Sequence, residues 1–407
     1  MKFKNVSLAD VCDLIAGFAF KGKDFGDFAS RVIKITHITP PTVDMDNLAG
    51  VDLTKYNPAK LKKYIAKHGD FVLAMTGATI GKIGRIENGS AYINQRVLLF
   101  KNHDSIDKDF LYYVLQQYEF QQYVLSHIDS ESAQPNISAD TIGKYSFVLP
   151  DLETQKKIGS FLRSFDAKCE INRRINDNLQ QQLSTIYKSW YLDFSLVADS
   201  EFIETEYGMI PNGWHYAMLG DLCQSVSVTH KFNKEKLIFL NTGDIEDGRF
   251  LHSDYMAVKK MPGQAKKTIA PGDILYSEIR PINRHFAYVN IPSDDYVVST
   301  KLMVIRSNGI DPRRLYHYLT LDDILSNLQH QAESRSGTFP QIRFENVSRL
   351  PILIADEQTE SKFIDILNSV YEQIDHLNIE NKKLAELRDA ILPKLMSGEI
   401  DVSDIQL

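Results

Sequence analysis

Two stretches of the chain place apolar residues three and four positions apart for more than thirty residues. In the first, LETQKKIGSFLRSFDAKCEINRRINDNLQQQLSTIYKSW (152–190), Ile158, Leu162, Phe165, Cys169, Ile175, Leu179, Leu183 and Ile186 define one narrow helical face. In the second, DEQTESKFIDILNSVYEQIDHLNIENKKLAELRDAILPKL (356–395), the same face is carried by Phe363, Ile366, Leu367, Val370, Ile374, Leu377, Leu384, Leu387 and Ile391. A constant offset of 205 relates Ile158, Leu162, Phe165, Cys169, Leu179 and Ile186 to Phe363, Leu367, Val370, Ile374, Leu384 and Ile391, so the stretches are copies in register. A helix of about 37 residues is roughly 55 Å long, more than an ordinary globular helix needs. The pattern predicts that the two stripes bury each other as a coiled coil. The competing arrangement folds each helix onto a separate domain. Pro393 is expected in the last turn of the second helix.

The intervening segments carry strand signals and also repeat. Residues 31–38 (RVIKITHI) and 92–100 (YINQRVLLF) are predicted strands, 70–75 is a buried β-rich run, and 110–125 (FLYYVLQQYEFQQYVL) is helical with a core-facing aromatic side. Gly77 and Gly81 punctuate a turn in TGATIGKIGRI. LADVC (8–12) reappears as LGDLC (219–223), Gly69-Asp70-Phe71 as Gly272-Asp273-Ile274, and Ile137 and Ile142 as Ile342 and Val347. The framework positions match, whereas the loops GFAFKGKDF and LAMTGATIGKIGRI become SVSVTHKFNKEK and LYSEIRPINRHFAYV. The predicted architecture is α+β: strand-rich domains at 1–150 and 201–355, and helical segments at 151–200 and 356–407.

Charge and composition narrow the chemistry. The formal charge of −7 lies almost wholly in residues 351–407, which carry 5 basic and 12 acidic side chains. Residues 1–150 hold 17 basic and 16 acidic residues, so each globular segment is free to carry a basic face. Cys12, Cys169 and Cys223 lack metal-binding spacing, and Cys169 occupies an apolar helix position. The chain has no run of 18 apolar residues and no apolar stretch at its start, which leads to the expectation of a cytoplasmic protein without membrane contact. Phosphate-binding glycine loops, an Asn/Asp-Pro-Pro-Tyr/Phe motif and His-Glu-x-x-His are absent from the sequence, and Ser336-Gly337-Thr338 is read as a loop rather than a nucleophile turn. No metal site is expected.

What remains is surface suited to binding a polyanion. Lys21, Lys23, Arg31 and Lys34 cluster early in the first segment, followed by Lys82, Arg85 and the triplet Asn94-Gln95-Arg96. Lys231, Lys234 and Lys236 occupy the matching early loop of the second, followed by Arg280, Asn283, Arg284 and Lys301. Lysines and arginines suit phosphates, while Arg, Asn and Gln suit base edges.

Two divergent units of about 150 residues, each followed by a long helix, resemble the DNA-specificity subunit of type I restriction-modification enzymes. The resemblance rests on GFAFKGKDF with RVIKITHI, GDFVLAMTGATIGKIGRI, PDLETQKKIGSFL (150–162), ADEQTESKF (355–363) and ILPKLMSGEI (391–400), and it spans essentially the whole chain. Glu153-Thr154-Gln155 departs from the adjacent Glu-Gln usual there, which Glu357-Gln358 retains. The resemblance implies two target recognition domains, each reading half of a split asymmetric site. It also implies an antiparallel coiled coil that sets the spacer and docks partners. The chain itself would be noncatalytic and bind no cofactor. Its partners would be double-stranded DNA, two methyltransferase subunits that use S-adenosylmethionine on adenine, and restriction subunits that use ATP and magnesium. The alternative is a coiled-coil scaffold or regulatory protein whose domains bind protein.

Overall fold

The computed structural model describes residues 4–129, 135–197, 201–335 and 339–402. Ser336, Gly337 and Thr338 lie outside them. The chain forms two compact units, Met1–Ile171 with Glu380–Leu407, and Asn172–Ile379. Each unit therefore takes one globular segment and a part of both long helices, which run over Leu152–Tyr187 and Glu357–Met396.

The first unit is built on two sheets. One has the strand order Cys12–Ala16, Val97–Asn102, Phe71–Ala74, Ile83–Arg85, Thr42–Val43, Ile38–Thr39. The other has the order Ala49–Val51, Phe25–Ile33, Ser90–Ile93, Ile65–Lys67, with its inner pair parallel (Tyr92 opposite Val32). The second unit repeats the order of the smaller sheet and of the first four strands of the larger. Cys223–Ser225, Leu302–Ser307, Ile274–Ser277 and Phe286–Tyr288 form one sheet, and Tyr255–Ala257, Lys236–Leu240, Tyr296–Ser299 and Ala265–Lys267 the other, again with the inner pair parallel. The duplication extends to single hydrogen bonds. Leu8 N donates to Tyr145 O and Leu219 N to Leu350 O, and the Cys12 and Cys223 thiols each donate to the carbonyl four residues back. Burial pushes both thiols up to about 12, so they stay protonated packing groups.

Several local expectations need correction. Residues 92–100 are not one strand: Ser90–Ile93 and Val97–Asn102 belong to different sheets, joined by a turn at Asn94–Arg96 in which Arg96 has φ 73°. Apolar residues on both sides of this turn hide it from a periodicity argument. The strand expected at 31–38 ends at Ile33 and passes into a 3₁₀ turn, Ile35–His37. The helix expected at 110–125 is two, Lys108–Gln116 and Tyr118–Ser126, broken where Gln117 adopts an extended backbone. Pro393 does sit in the final turn of its helix.

Within each unit the two helix segments run antiparallel. In the first unit Arg388 Nη1 reaches Asp166 Oδ1 at 2.6 Å and Lys168 reaches Glu380 at 3.5 Å; in the second Asn176 Nδ2 donates to Asn378 Oδ1 at 2.9 Å. Ile158, Leu162, Leu183, Phe363 and Leu367 are buried, and Phe165, Leu179, Ile186, Val370, Leu377, Leu384 and Ile391 are half-buried. Ile175 and Leu387, expected on the stripe, are instead 41% and 50% exposed. The 3-4 spacing through Leu162, Phe165, Cys169, Leu179 and Leu183 puts Asn172 and Asn176 on the seam, one step from Ile175, and both are buried. In the second helix the seam likewise takes Arg388 rather than Leu387.

The helix ends are core elements of the globular folds. Ile158, Leu162, Leu392, Leu395 and Met396 share one cluster with Phe71, Phe100 and Phe110. Leu183, Tyr187, Tyr191, Phe363 and Leu367 share another with Tyr276, Phe286 and Leu315. In the second unit a fully buried Arg314 fixes this junction: Nε donates to Glu360 Oε1 at 2.9 Å, Nη2 to Leu353 O at 3.1 Å, and the guanidinium lies 4.6 Å from the Tyr191 ring. Glu360 also accepts from Tyr191 Oη and Ala355 N, so this buried ion pair is hydrogen-bonded on both sides.

His317 is buried beside Arg314, against Tyr187, Phe363 and Tyr371. Burial first, and the neighbouring guanidinium second, hold it neutral by lowering its pKa from 6.5 to about 3. A depressed histidine leaves folding unaffected above pH 6.5. Between that value and about 3 the unfolded chain takes up a proton that the folded chain refuses, so stability falls with pH. Urea unfolding of wild type should show a loss of about 2 kcal/mol from this group between pH 7 and pH 5, and His317→Leu should remove that part of the loss.

Candidate nucleic-acid interface

In each unit three loops from different parts of the chain are tied together at one end of the sheets, by the same bonds. In the first, Met75 N donates to Arg96 O, Ile137 N to Met75 O, and Gly77 N to Pro135 O. In the second, Glu278 N donates to Lys301 O, Ile342 N to Glu278 O, and Arg280 N to Pro340 O. Within the hairpin loop Ile80 N donates to Gly77 O, and its counterpart Asn283 N to Arg280 O. Residues 75–81 and 278–284 therefore form corresponding turns with unlike side chains, the short 3₁₀ turn lying at Gly77–Thr79 in one and one position later, at Pro281–Asn283, in the other.

That equivalence places arginine where the first unit has glycine. Gly77 and Gly81 hold φ of 75° and 82°; their counterparts Arg280 and Arg284 hold 44° and 57°. Glycine enters this region at no steric cost, whereas a side chain costs about 1 kcal/mol or more. Arg284 has an internal reason to be there: Nε meets Asp247 at 2.9 Å and Nη1 meets Asp322 at 2.7 Å. Arg280 is exposed and, among the described residues, has no ion pair. The first unit carries one such residue on the neighbouring turn, where Arg96 at φ 73° is exposed and equally without a carboxylate. Arg96 and Arg280 thus combine a left-handed backbone with an exposed side chain that has no ion pair among the described residues.

The remaining candidates divide by what surrounds them. Gln95 N donates to Phe18 O and Asn94 N to Ile33 O, which bring the turn beside the Phe18–Lys21 loop and Lys34. Gly17 permits this approach, since a Cβ there would lie 2.0 Å from Asn94 O. Lys21, Lys23 and Lys82 are exposed, Lys34 is half-buried with its ammonium 4.0 Å from the Phe25 ring, and no ion pair holds any of the four among the described residues. Arg31 is exposed and donates to Leu48 O at the far edge of its sheet. Arg85 is a correction: it is 5% exposed, paired with Asp109 and stacked 4.2 Å from the Tyr112 ring, so it belongs to the framework. In the second unit Lys231, Lys236 and Asn283 are exposed, whereas Lys234 pairs with Asp295 and Lys301 with Glu278 at 3.5 Å.

Sequence reasoning passed over Lys267 and Ile282. Lys267 donates to Thr300 O and Leu302 O, pinning the turn before Lys301, and burial lowers its pKa. It reads as an ordinary surface lysine in a strand. Ile282 stands exposed on the Arg280–Arg284 turn, where its residue type predicts core.

The model of the type I restriction modification DNA specificity domain matches the chain twice, over residues 1–181 and 211–388. The chain belongs to this family. Each specificity-domain match contains one of the loop clusters just described. The chain is similar to the type I restriction enzyme HindI specificity subunit of Haemophilus influenzae, at 41% identity over 181 residues. That match covers 44% of this chain and 39% of the relative, so it spans about two fifths of the relative's length. It is also 23% identical over 343 residues to the MjaIX specificity subunit of Methanocaldococcus jannaschii, covering 82% of this chain and 78% of that one. A crystal structure of a type I restriction-modification S subunit from M. genitalium shares the fold with TM-score 0.52 and 15% identity, over 97% of this chain and 96% of that one. Among the described residues no helix is long and apolar enough to cross a membrane.

The two strained arginines and the anchored one should separate in a stability measurement. Arg96→Gly and Arg280→Gly should leave unfolding free energy unchanged or raise it by up to about 1 kcal/mol, because they relieve a left-handed side chain. Arg284→Gly relieves the same strain but loses two partly exposed ion pairs, and should gain less than either or lose up to about 1 kcal/mol.

Proposed function

We propose that this chain is the noncatalytic sequence-reading subunit of a type I restriction-modification complex. Each unit reads one half of a split, asymmetric DNA site, and partner subunits methylate adenine and cleave. The observation that supports this most is the common loop frame dressed with different side chains. One hydrogen-bonded scaffold presents Gln95 and Arg96 in the first unit, beside a half-buried Asn94 whose Oδ1 is enclosed, and Arg280 and Asn283 in the second. Two copies of one frame with unlike contact groups suit a site whose halves differ. A homodimer of identical readers would instead favour a palindrome.

The exposed cations divide the work by chemistry. Lys21, Lys23, Lys34 and Lys82 in one unit, and Lys231 and Lys236 in the other, suit sequence-independent phosphate contact, which makes affinity fall with salt. Arginine, asparagine and glutamine on rigid turns suit base edges in the major groove. Adenine methylation requires the base out of the stack, so this chain holds the duplex while a methyltransferase partner takes the base. S-adenosylmethionine, ATP and magnesium belong, in this reading, to those partners. The helix pair supplies a continuous element passing through both units, and the exposed apolar Ile175 and Leu387, off its seam, suit partner contact.

The reading is tested by binding and methylation assays of the assembled modification complex. Arg96→Gly should relax or weaken recognition at one half-site by on the order of tenfold and leave the other unchanged, and Arg280→Gly should do the reverse. Loss at both half-sites from either change, or at neither, contradicts independent readout and favours a scaffold whose units bind protein.

A further inference from the structure

The Arg280–Arg284 turn holds an apolar side chain out into solvent. Ile282 is 52% exposed, yet the backbone beneath it is fixed at every step. Arg280 N donates to Pro340 O, Asn283 N to Arg280 O, Arg284 N to Pro281 O, and Ile282 N meets Gln329 Oε1 at 3.4 Å. Pro281 is buried under the turn, and Arg284 ties its far end to Asp247 and Asp322. A loop free to relax would fold this isoleucine inward. Here the ion pairs and the two left-handed arginines prevent it.

Its counterpart in the first unit behaves oppositely. Thr79 occupies the equivalent place, half-buried, with its hydroxyl turned back to Thr76 O at 3.4 Å. The outward apolar tip is therefore a property of the second unit and not of the shared frame. On either side of Ile282 the exposed Arg280 and Asn283 carry side chains without an internal ion pair among the described residues, so one turn presents a cation, an alkyl group and an amide together.

That combination matches the major-groove edge of DNA, where guanine and adenine offer hydrogen-bonding atoms and thymine a methyl group. We infer that Ile282 is a specificity-determining residue that packs against the C5-methyl of a thymine in the half-site read by the second unit, on a turn positioned by Arg284. This rests on the DNA-reading function proposed above. It assigns to the second unit a sequence preference that hydrogen-bonding side chains alone would not supply.

The test uses the complete chain assembled with its methyltransferase partners. Exchange of residues 278–284 for residues 75–81 first identifies the half-site that the second unit reads. Each thymine in that half-site, on either strand, is then replaced singly by deoxyuridine, which pairs identically but lacks the methyl. One replacement should weaken wild-type binding roughly fourfold, the weight of one buried methyl group. Ile282→Ala should bind the thymine and deoxyuridine duplexes equally, and Ile282→Val should recover most of the discrimination. A half-site without thymine, wild-type indifference to every replacement, or discrimination that survives Ile282→Ala overturns the assignment. If the loop exchange moves neither half-site, the DNA-reading function itself fails; if it moves one and deoxyuridine has no effect, only the role of Ile282 does.

Discussion

Each globular segment shares one of its apolar cores with both long helices. The first needs Ile158 and Leu162 from the start of one long helix and Leu392, Leu395 and Met396 from the end of the other. The second needs Leu183, Tyr187 and Tyr191, and Phe363 and Leu367. The shared core of the first unit joins residues as far apart in sequence as Leu8 and Met396. The helices are thus shared walls of both units before they are partners of each other. This explains why their seam can afford amides in the middle: burial at the ends supplies the apolar area, while Asn176 and Asn378 fix register by a hydrogen bond that a shifted pairing would leave unmade.

With the frame held in this way, the loops at the sheet ends keep core anchors at Met75, Ile80 and Pro281 and vary elsewhere. The same three backbone bonds recur in both units around side chains that share almost nothing. The bonds that set loop geometry are common to both units, while the exposed side chains differ. Arginine at Arg280 and Arg284, where the first unit keeps Gly77 and Gly81, is the clearest trace of that freedom. Arg284 is held internally by Asp247 and Asp322, whereas Arg280 is exposed, so the same backbone conformation carries two different environments.

Much of this was legible in the residues and some was not. The copied helices, the offset of 205 and the repeated strand-rich segments follow from the sequence pattern, because both helical and strand faces meet large apolar cores. At Ile175 and Leu387 the seam departs from the apolar pattern because its inward positions there are polar, Asn172, Asn176 and Arg388. Arg85 was misread for the converse reason: an arginine in a strand is taken for surface until Asp109 and Tyr112 are found against it. The turn at Asn94–Arg96 was invisible because Ile93 and Val97 continue the apolar alternation and only the left-handed backbone of Arg96 breaks the strand. Ile282 was missed because nothing in a sequence says that an isoleucine is held outward.

The central claim is that this chain supplies the sequence specificity of a DNA-modifying complex. The most direct measurement maps methylated adenines in the genome of a host without other adenine methyltransferases, expressing the cognate modification subunit with and without this chain. The account predicts a split, asymmetric methylated motif that appears only when this chain is present. The same motif without it, or no motif with it, would contradict the account.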